Sequence, residues 1–289
     1  MKLEGAITAM VTPFTEEGVD IEGLKKNIKH QLSNGISGLV PLGTTGESPT
    51  VSEAEREEII KTVVAEVKKK VPVIVGVGTN STEKTIKNAK QAKELGADAL
   101  LVVSPYYNKP SQEGLYRHFI AVAEAVDLPI VVYNIQGRTA VNIETATLKR
   151  MAEHENIVAV KEASGNPNQM MDVIKQIPGL TVLSGDDSVT LPLMAMGGKG
   201  VISVCSNLLP KEMSELCKAC LKGDYAKAKD LHYKLLPMFR AEFVETNPVP
   251  MKAAMGMAGL AAGPVRPPLC PMQPESLEKL KAAMKLVGL

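Results

Sequence analysis

The sequence predicts a (β/α)8 TIM barrel, an α/β fold, with a C-terminal helical extension. Three observations carry this. Apolar runs rich in Val and Ile alternate with segments of helical periodicity, eight times over. The runs are apolar without interruption, as in Ile130-Val131-Val132, which marks strands buried on both faces and hence a parallel sheet covered by helices. The turn after the first run holds no G-x-G-x-x-G, which an open doubly wound sheet would usually show.

The elements follow in order. Residues 5–14 make the first strand, and residues 21–32 a helix closed by Asn34-Gly35, a helix C-terminal signal. Residues 38–42 are the second strand, ending in Gly43-Thr44-Thr45-Gly46-Glu47. The next helix starts at Ser52, with Glu55 three residues on as a capping box, and runs to about residue 70. Residues 71–78 form the third strand, 82–95 a helix closed by Gly96, and 99–103 the fourth strand, followed by Ser104-Pro105-Tyr106-Tyr107. A helix over 112–126 leads to the fifth strand, 129–134, and a helix over 143–154 to the sixth. That strand, from Ile157, runs through Val158-Ala159-Val160 straight into Lys161. A helix over 168–176, a strand over 180–183, a short helix over 189–196 and a strand over 200–204 complete the eight units. A helical tail begins at Pro210, broken near Gly223-Asp224 and again across 248–274. The barrel is expected to occupy residues 1–224 and the extension, packed on it, residues 225–289.

The hydrophobic fraction of 45% suffices for a large core. A formal charge of +1 gives no electrostatic reason to expect nucleic acid or an anionic membrane as partner. No apolar run is long enough to span a bilayer, and Met1-Lys2-Leu3-Glu4-Gly5 does not open a signal peptide, so a cytoplasmic location is expected. Cys217 and Cys220 form a lone C-x-x-C inside a helical pattern. It reads as a pair of small, half-buried helix residues, with zinc or redox chemistry as the alternative. The four histidines are scattered, so neither a metal site nor a cofactor is expected.

In a barrel of this kind the strand C-termini open on one face, and that face carries the chemistry. The strands deliver Thr44 and Thr45, Tyr106 and Tyr107, Tyr133 with Arg138 beyond it, Lys161, Gly185 and Ile202 to that face. A lysine ending a buried strand is partly desolvated, which favours the neutral amine that attacks carbonyls. The alternative is a lysine that merely begins the solvated turn. A phenol beside the amine can carry protons for carbinolamine formation and dehydration. The Gly-flanked Thr pair offers N–H groups and hydroxyls to a carboxylate, or is an ordinary turn. Arg138 offers a fork to a second carboxylate, or is an exposed loop arginine. The set describes Schiff-base chemistry on a 2-keto acid.

Five motifs, Gly43-Thr44-Thr45-Gly46-Glu47, Ser104-Pro105-Tyr106-Tyr107, Tyr133-Asn134 with Gly137-Arg138-Thr139, Val160-Lys161-Glu162 and Gly200-Val201-Ile202-Ser203-Val204, resemble the family of pyruvate-dependent class I aldolases that contains N-acetylneuraminate lyase. The resemblance covers nearly the whole chain. It implies the branch that joins pyruvate to L-aspartate 4-semialdehyde on the way to diaminopimelate and lysine. It implies Lys161 as the imine lysine, Tyr133 as acid/base, and Thr44 and Tyr107 as its proton relay, with Tyr107 reaching in from a neighbouring subunit. Thr45 would hold the pyruvate carboxylate and Arg138 that of the aldehyde, with Gly185 and Ile202 also at the substrate. Members are usually homotetramers, dimers of dimers, and need no cofactor beyond the imine. One departure is Gln136, where the family usually has proline; the loss of a fixed φ is expected to leave Arg138 less firmly placed. Feedback-inhibited members bind L-lysine in a dimer-interface cleft that presents a histidine and a glutamate. Here Glu53, Arg56 and Lys84 stand in that region, while Ser48, Asn80 and Tyr106 are retained, so weak or no inhibition is expected. The rival readings are a sister aldolase acting on a 2-keto-3-deoxy sugar acid or N-acetylneuraminate, and a non-catalytic barrel that binds a small acid.

Overall fold

The computed structural model describes residues 2–289. Eight parallel strands form one sheet: β1 (Gly5–Ala9), β2 (Gly38–Val40), β3 (Ile74–Gly76), β4 (Ala99–Val103), β5 (Ile130–Asn134), β6 (Ile157–Glu162), β7 (Thr181–Ser184) and β8 (Gly200–Ser203). Their order is β2-β1-β8-β7-β6-β5-β4-β3. The ends meet through a parallel bridge between Leu39 and Val73, with Leu39 N donating to Pro72 O at 3.0 Å and Gly76 N to Pro41 O at 3.0 Å. The sheet is thus a closed barrel, and closure leaves no strand edge to cover.

Strand alternation sorts the core into two layers. Ile7, Val40, Ile74, Leu101, Val131, Ala159, Leu183 and Ile202 fill the barrel interior. Their neighbours, such as Val132, Val160, Val182 and Val201, face outward against the helices. The first three strands are shorter than the apolar runs that encode them. Residues 10–14 leave the sheet after Ala9, and Phe14 pairs instead with Val19 in an antiparallel bridge.

The helical ring is α1 (Ile21–Ser33), α2 (Glu53–Val67), α3 (Thr82–Glu94), α4 (Gln112–Ala125), α5 (Gln136–Thr139), α6 (Thr145–Met151), α7 (Pro167–Gln176), α8 (Thr190–Ala195) and α9 (Pro210–Leu221). The four residues of α5 are too few to show a period in the sequence. Side chains cap most helix starts. Ser52 and Glu55 form the expected capping box of α2, and Asp20, Ser81, Ser111 and Asn166 accept N–H bonds at α1, α3, α4 and α7. Cys217 and Cys220 lie buried in α9, and burial pushes both thiols up, which leaves them protonated and inert.

Beyond α9, α10 (Tyr225–Ala241) packs on α9 and on α12 (Pro274–Leu286). The segment expected to interrupt the tail contains a further helix, α11 (Val249–Met257). Its first turn holds Val249 and Pro250, a place where proline's missing N–H costs nothing, so Pro248-Val249-Pro250 begins a helix rather than breaking one. No helix among the described residues is long and apolar enough to cross a membrane.

The extension returns to the barrel mouth. Lys252 on α11 donates to Glu47 Oε1 at 2.7 Å, and both side chains are 2% exposed. Its Nζ also donates to Pro264 O at 2.6 Å and sits 4.4 Å from the Phe14 ring centre. Arg266 donates from its backbone N to Glu47 Oε2 at 2.9 Å, from Nη1 to Thr50 O at 2.8 Å, and pairs with Glu55. Gly263, with φ +65°, lies so close to Phe14 O that a Cβ would stand 1.7 Å from it, so only glycine fits. Removing one partner of a buried ion pair leaves the other charge uncompensated. Lys252→Met is expected to destabilise the fold by about 3–5 kcal/mol, measured as a shift in the denaturant midpoint. A loss under about 1 kcal/mol, the range of a surface pair, would show that the pair does not hold the mouth together.

Candidate active site

The β5–β6 register sets Tyr133 directly beside Lys161, and the β6–β7 register sets Lys161 beside Leu183. All three point into the barrel. Lys161 is 5% exposed, deeper than the half-solvated rim position expected from sequence, and its Nζ lies 4.2 Å from the centre of the Tyr133 ring. An ammonium or amine over a phenol face is a favourable contact that also fixes the reach of the lysine stem.

The strand ends are held from outside the barrel. Glu162 faces away from Lys161 and is fully buried, accepting from Ser164 N at 2.7 Å and from Asn134 Nδ2 at 3.2 Å. Asn134 also donates to Asn142 Oδ1 at 2.9 Å and accepts from Ile143 N at 3.0 Å. These bonds lock the two residues that follow Tyr133 and Lys161, which belong to the resemblance motifs but to which the sequence assigns no role.

Gly185 ends β7 against the lysine. Its N donates to Glu162 O at 2.8 Å, and a Cβ built on it would stand 2.6 Å from Ala163 Cβ and 3.1 Å from Lys161 Cε. Ile202 is fully buried in the barrel interior. Of the two expected substrate positions, Gly185 adjoins the lysine stem.

The Gly43–Gly46 turn stands across the mouth. Its bonds run within the turn, from Gly46 N to Gly43 O at 3.2 Å and from Glu47 N to Thr44 O at 3.0 Å. The N–H groups of Gly43, Thr44 and Thr45 donate to no acceptor among the described residues, which leaves three successive donors for a ligand. Thr44 lines the mouth. Thr45 is 2% exposed, and its Oγ1 accepts from Asn247 Nδ2 at 2.9 Å. Asn247, another residue missed from sequence, also receives Arg138 Nη2 on its carbonyl at 3.2 Å. Arg138 is exposed on α5 and has no carboxylate partner among the described residues. Gln136 is the first residue of α5, where proline and glutamine are equally compatible with the helix, and Arg138 is steadied through Asn247. Tyr107 does not join the group within one chain. It is 89% exposed with φ +73°, a strained conformation for a tyrosine.

A cleft of about 810 Å³ joins this mouth to an outer arm. Thr44, Ile135, Arg138 and Asn247 line its inner end, and Glu53, Arg56, Asn80, Lys84, Lys87 and Tyr106 its outer end. Arg56 donates to Gly76 O at 2.9 Å, and burial pulls its guanidinium down to about 10. Lys87 Nζ reaches both oxygens of Glu53, at 2.8 and 3.0 Å. No group of three or more His, Cys, Asp or Glu among the described residues is arranged to hold a metal.

A desolvated amine, a phenol, a row of free amides and an unpaired arginine at the strand ends of a parallel barrel suit a reaction between two carbonyl compounds that carry carboxylates. The sequence pattern of the Dihydrodipicolinate synthetase family matches residues 2–287, and the chain belongs to that family of lyases. It is 50% identical to the 4-hydroxy-tetrahydrodipicolinate synthase of Methanocaldococcus jannaschii, over 99% of both chains. A crystal structure of a dihydrodipicolinate synthase superposes with a TM-score of 0.97, at 49% identity over 99% of both chains. The chloride-inhibited dihydrodipicolinate synthase from Acinetobacter baumannii, complexed with pyruvate, superposes with a TM-score of 0.97, at 42% identity over 99% of both.

Gly185→Ala tests how tightly the amine is placed. The added methyl is expected to push the Lys161 stem aside with the fold intact, and to slow borohydride trapping of a pyruvate imine by about tenfold or more, a barrier change of about 1.4 kcal/mol. Unchanged trapping would mean that the turn does not position Lys161.

Proposed function

We propose that the chain condenses pyruvate with L-aspartate 4-semialdehyde through an imine on Lys161, giving 4-hydroxy-tetrahydrodipicolinate in diaminopimelate and lysine biosynthesis. The observation that carries this reading is the Lys161 amine held over the Tyr133 ring at 4.2 Å, with Tyr133 lining a small pocket that shares Thr44 with the larger cleft that Arg138 lines. The family and the pyruvate bound to the A. baumannii relative support it.

The Lys161 amine attacks the ketone carbon of pyruvate, and the Tyr133 phenol protonates the oxygen that leaves as water. The free N–H groups of Thr44 and Thr45, with the Thr45 hydroxyl, receive the pyruvate carboxylate. The cationic imine acidifies the methyl group, whose proton returns through Tyr133. The enamine carbon then bonds to the aldehyde carbon while Arg138 grips the carboxylate of the second substrate. The amino group of that substrate attacks the imine carbon, closes the ring and expels Lys161. Thr44 passes protons between Tyr133 and solvent, with Tyr107 supplied by a neighbouring subunit, a role that fits its exposure in the single chain. Gly185 gives the lysine room, and Ile202, in the barrel interior, is the further residue at the substrate on this reading. The catalytic assembly on this reading is a homotetramer in the cytoplasm, with no cofactor.

A sister aldolase acting on a sugar acid would keep the lysine and the phenol. Arg138 favours the short acidic aldehyde, because a polyol offers it no anion. Pyruvate with aspartate semialdehyde should turn over, and pyruvate with N-acetylmannosamine should not; the reverse preference would overturn the assignment.

Borohydride with pyruvate is expected to inactivate the protein and label Lys161, and Lys161→Ala to lose most activity. Peptide mapping that found the label on another lysine would reject the mechanism. Arg138→Ala is expected to raise the KM for the aldehyde about tenfold or more, the loss of roughly 1.5–3 kcal/mol from a charge-assisted fork, and to spare imine formation. An equal loss for both substrates would make the arginine structural.

L-Lysine is expected to inhibit weakly or not at all. Lys84 at the outer arm repels an ammonium, and Glu53, the anion that could replace the missing partner, is already taken by Lys87. Half-inhibition at submillimolar L-lysine in a rate titration would contradict this.

A further inference from the structure

Asp187 and Glu242 are fully enclosed carboxyl groups that the reaction above does not use. Asp187 opens the turn after β7, two residues beyond Gly185, and Glu242 caps the C-terminus of α10. They are 1% and 0% exposed. Asp187 Oδ2 accepts from Val204 N at 2.8 Å and Cys205 N at 3.0 Å, which ties the end of β8 to the end of β7. Asp187 Oδ1 and both oxygens of Glu242 are buried and meet no donor among the described residues. Counted as carboxylates, they are three orphaned acceptors, which a folded interior does not tolerate. Two carboxylates in contact cannot satisfy one another, whereas a carboxylic acid can donate to a carboxylate.

We infer that Asp187 and Glu242 share one proton, with Glu242 the neutral donor and Asp187 the anion, and that this pair positions the β7 and β8 turns beside Lys161. The division follows from the partners. Asp187 has two backbone N–H bonds to stabilise its charge, and Glu242 has none. The titratable groups that interact with the pair supply no positive charge: Asp186 in the β7 turn, Cys205 in the β8 turn and Cys217 on α9. Burial first, and then the Asp187 charge, pushes the Glu242 carboxyl well above the usual carboxylate range; burial raises Asp187 as well, while the Ser203 hydroxyl and the backbone N–H groups oppose the rise. Asp187 and Glu242 are positioning residues: both act through the turns that follow β7 and β8, the first of which carries Gly185.

The sign of the pH effect follows. The folded chain keeps a proton that the unfolded chain releases above about pH 4.5, so the pair's contribution is largest below that value and is lost as pH rises. Per retained proton, the folding constant falls tenfold for each pH unit. Glu242→Gln keeps a donor to Asp187 and has no proton to lose. Its stability relative to the wild-type chain is expected to rise as pH climbs above the ordinary carboxylate range, read from denaturant midpoints at fixed protein concentration. Infrared spectra of the folded chain above the ordinary carboxylate range are expected to show the carbonyl band of a protonated carboxylic acid in the wild-type chain and to lack it in Glu242→Gln. Parallel stability curves for the two chains, a wild-type chain without the band, or a band that persists in Glu242→Gln would each overturn the inference. The infrared comparison needs only the folded protein, so it decides the matter even where unfolding is irreversible.

Discussion

The barrel mouth depends on the ion pair between Glu47 and Lys252. Glu47 sits immediately after the Gly43–Gly46 turn with φ +52°, a conformation that a glutamate adopts only when its surroundings over-determine it. The surroundings do so. One carboxylate oxygen takes Lys252 Nζ, and the other takes Arg266 N. Burying two charges is costly, and the cost is offset only when every donor and acceptor is matched. Here the ammonium also meets a carbonyl and an aromatic face, and burial, the larger influence, still draws the Lys252 pKa down. The turn that presents the free N–H groups is therefore fixed by residues more than two hundred positions away in the chain.

The second constraint is register. In a parallel barrel each inward side chain has inward neighbours at the same height on both sides. Tyr133 beside Lys161 is a consequence of the β5–β6 pairing, with no loop involved. Amine and phenol stand on strands, whose backbone bonds restrict them more than a loop would, and the Asn134–Glu162–Ser164 bonds extend that rigidity past the strand ends. Specificity sits on softer ground. Arg138 belongs to a single-turn helix and is steadied by one carbonyl, that of Asn247. A rigid lysine and phenol on the strands thus stand beside a more adaptable arginine.

The C-terminal extension is a working part of the mouth. It contributes Asn247 to Thr45 and Arg138, Lys252 and Arg266 to Glu47, and Glu242 to Asp187. The electrostatics of the cleft also differ along its length. The inner end has one unpaired cation at Arg138, and the outer arm gathers Arg56, Lys84 and Lys87 against the single carboxylate of Glu53. A cationic ligand is disfavoured in that arm, and an anion entering the cleft is drawn inward.

The sequence by itself determined the (β/α)8 class, the positions of most strands and helices, and the arrival of Lys161, Tyr133, Thr44 and Gly185 on one face. Those follow from local periodicity and from the rule that parallel strands share a direction, so short windows suffice. The resemblance of five motifs supplied the family. Tertiary structure decided the rest. The run over 5–14 stops being strand at Ala9, because the chain must turn for Phe14 to receive Lys252 and Arg266. The helices at Gln136–Thr139 and Val249–Met257 are too short, or too rich in proline, to be seen as periods. Glu47 with Lys252, Asn247 with Thr45, and Asp187 with Glu242 join residues far apart in the chain, and no window of sequence contains both members. Tyr107, 89% exposed at φ +73°, joins no other expected site residue within the chain. A buried polar group announces its need for a partner in the sequence, and only the folded chain says which partner it finds.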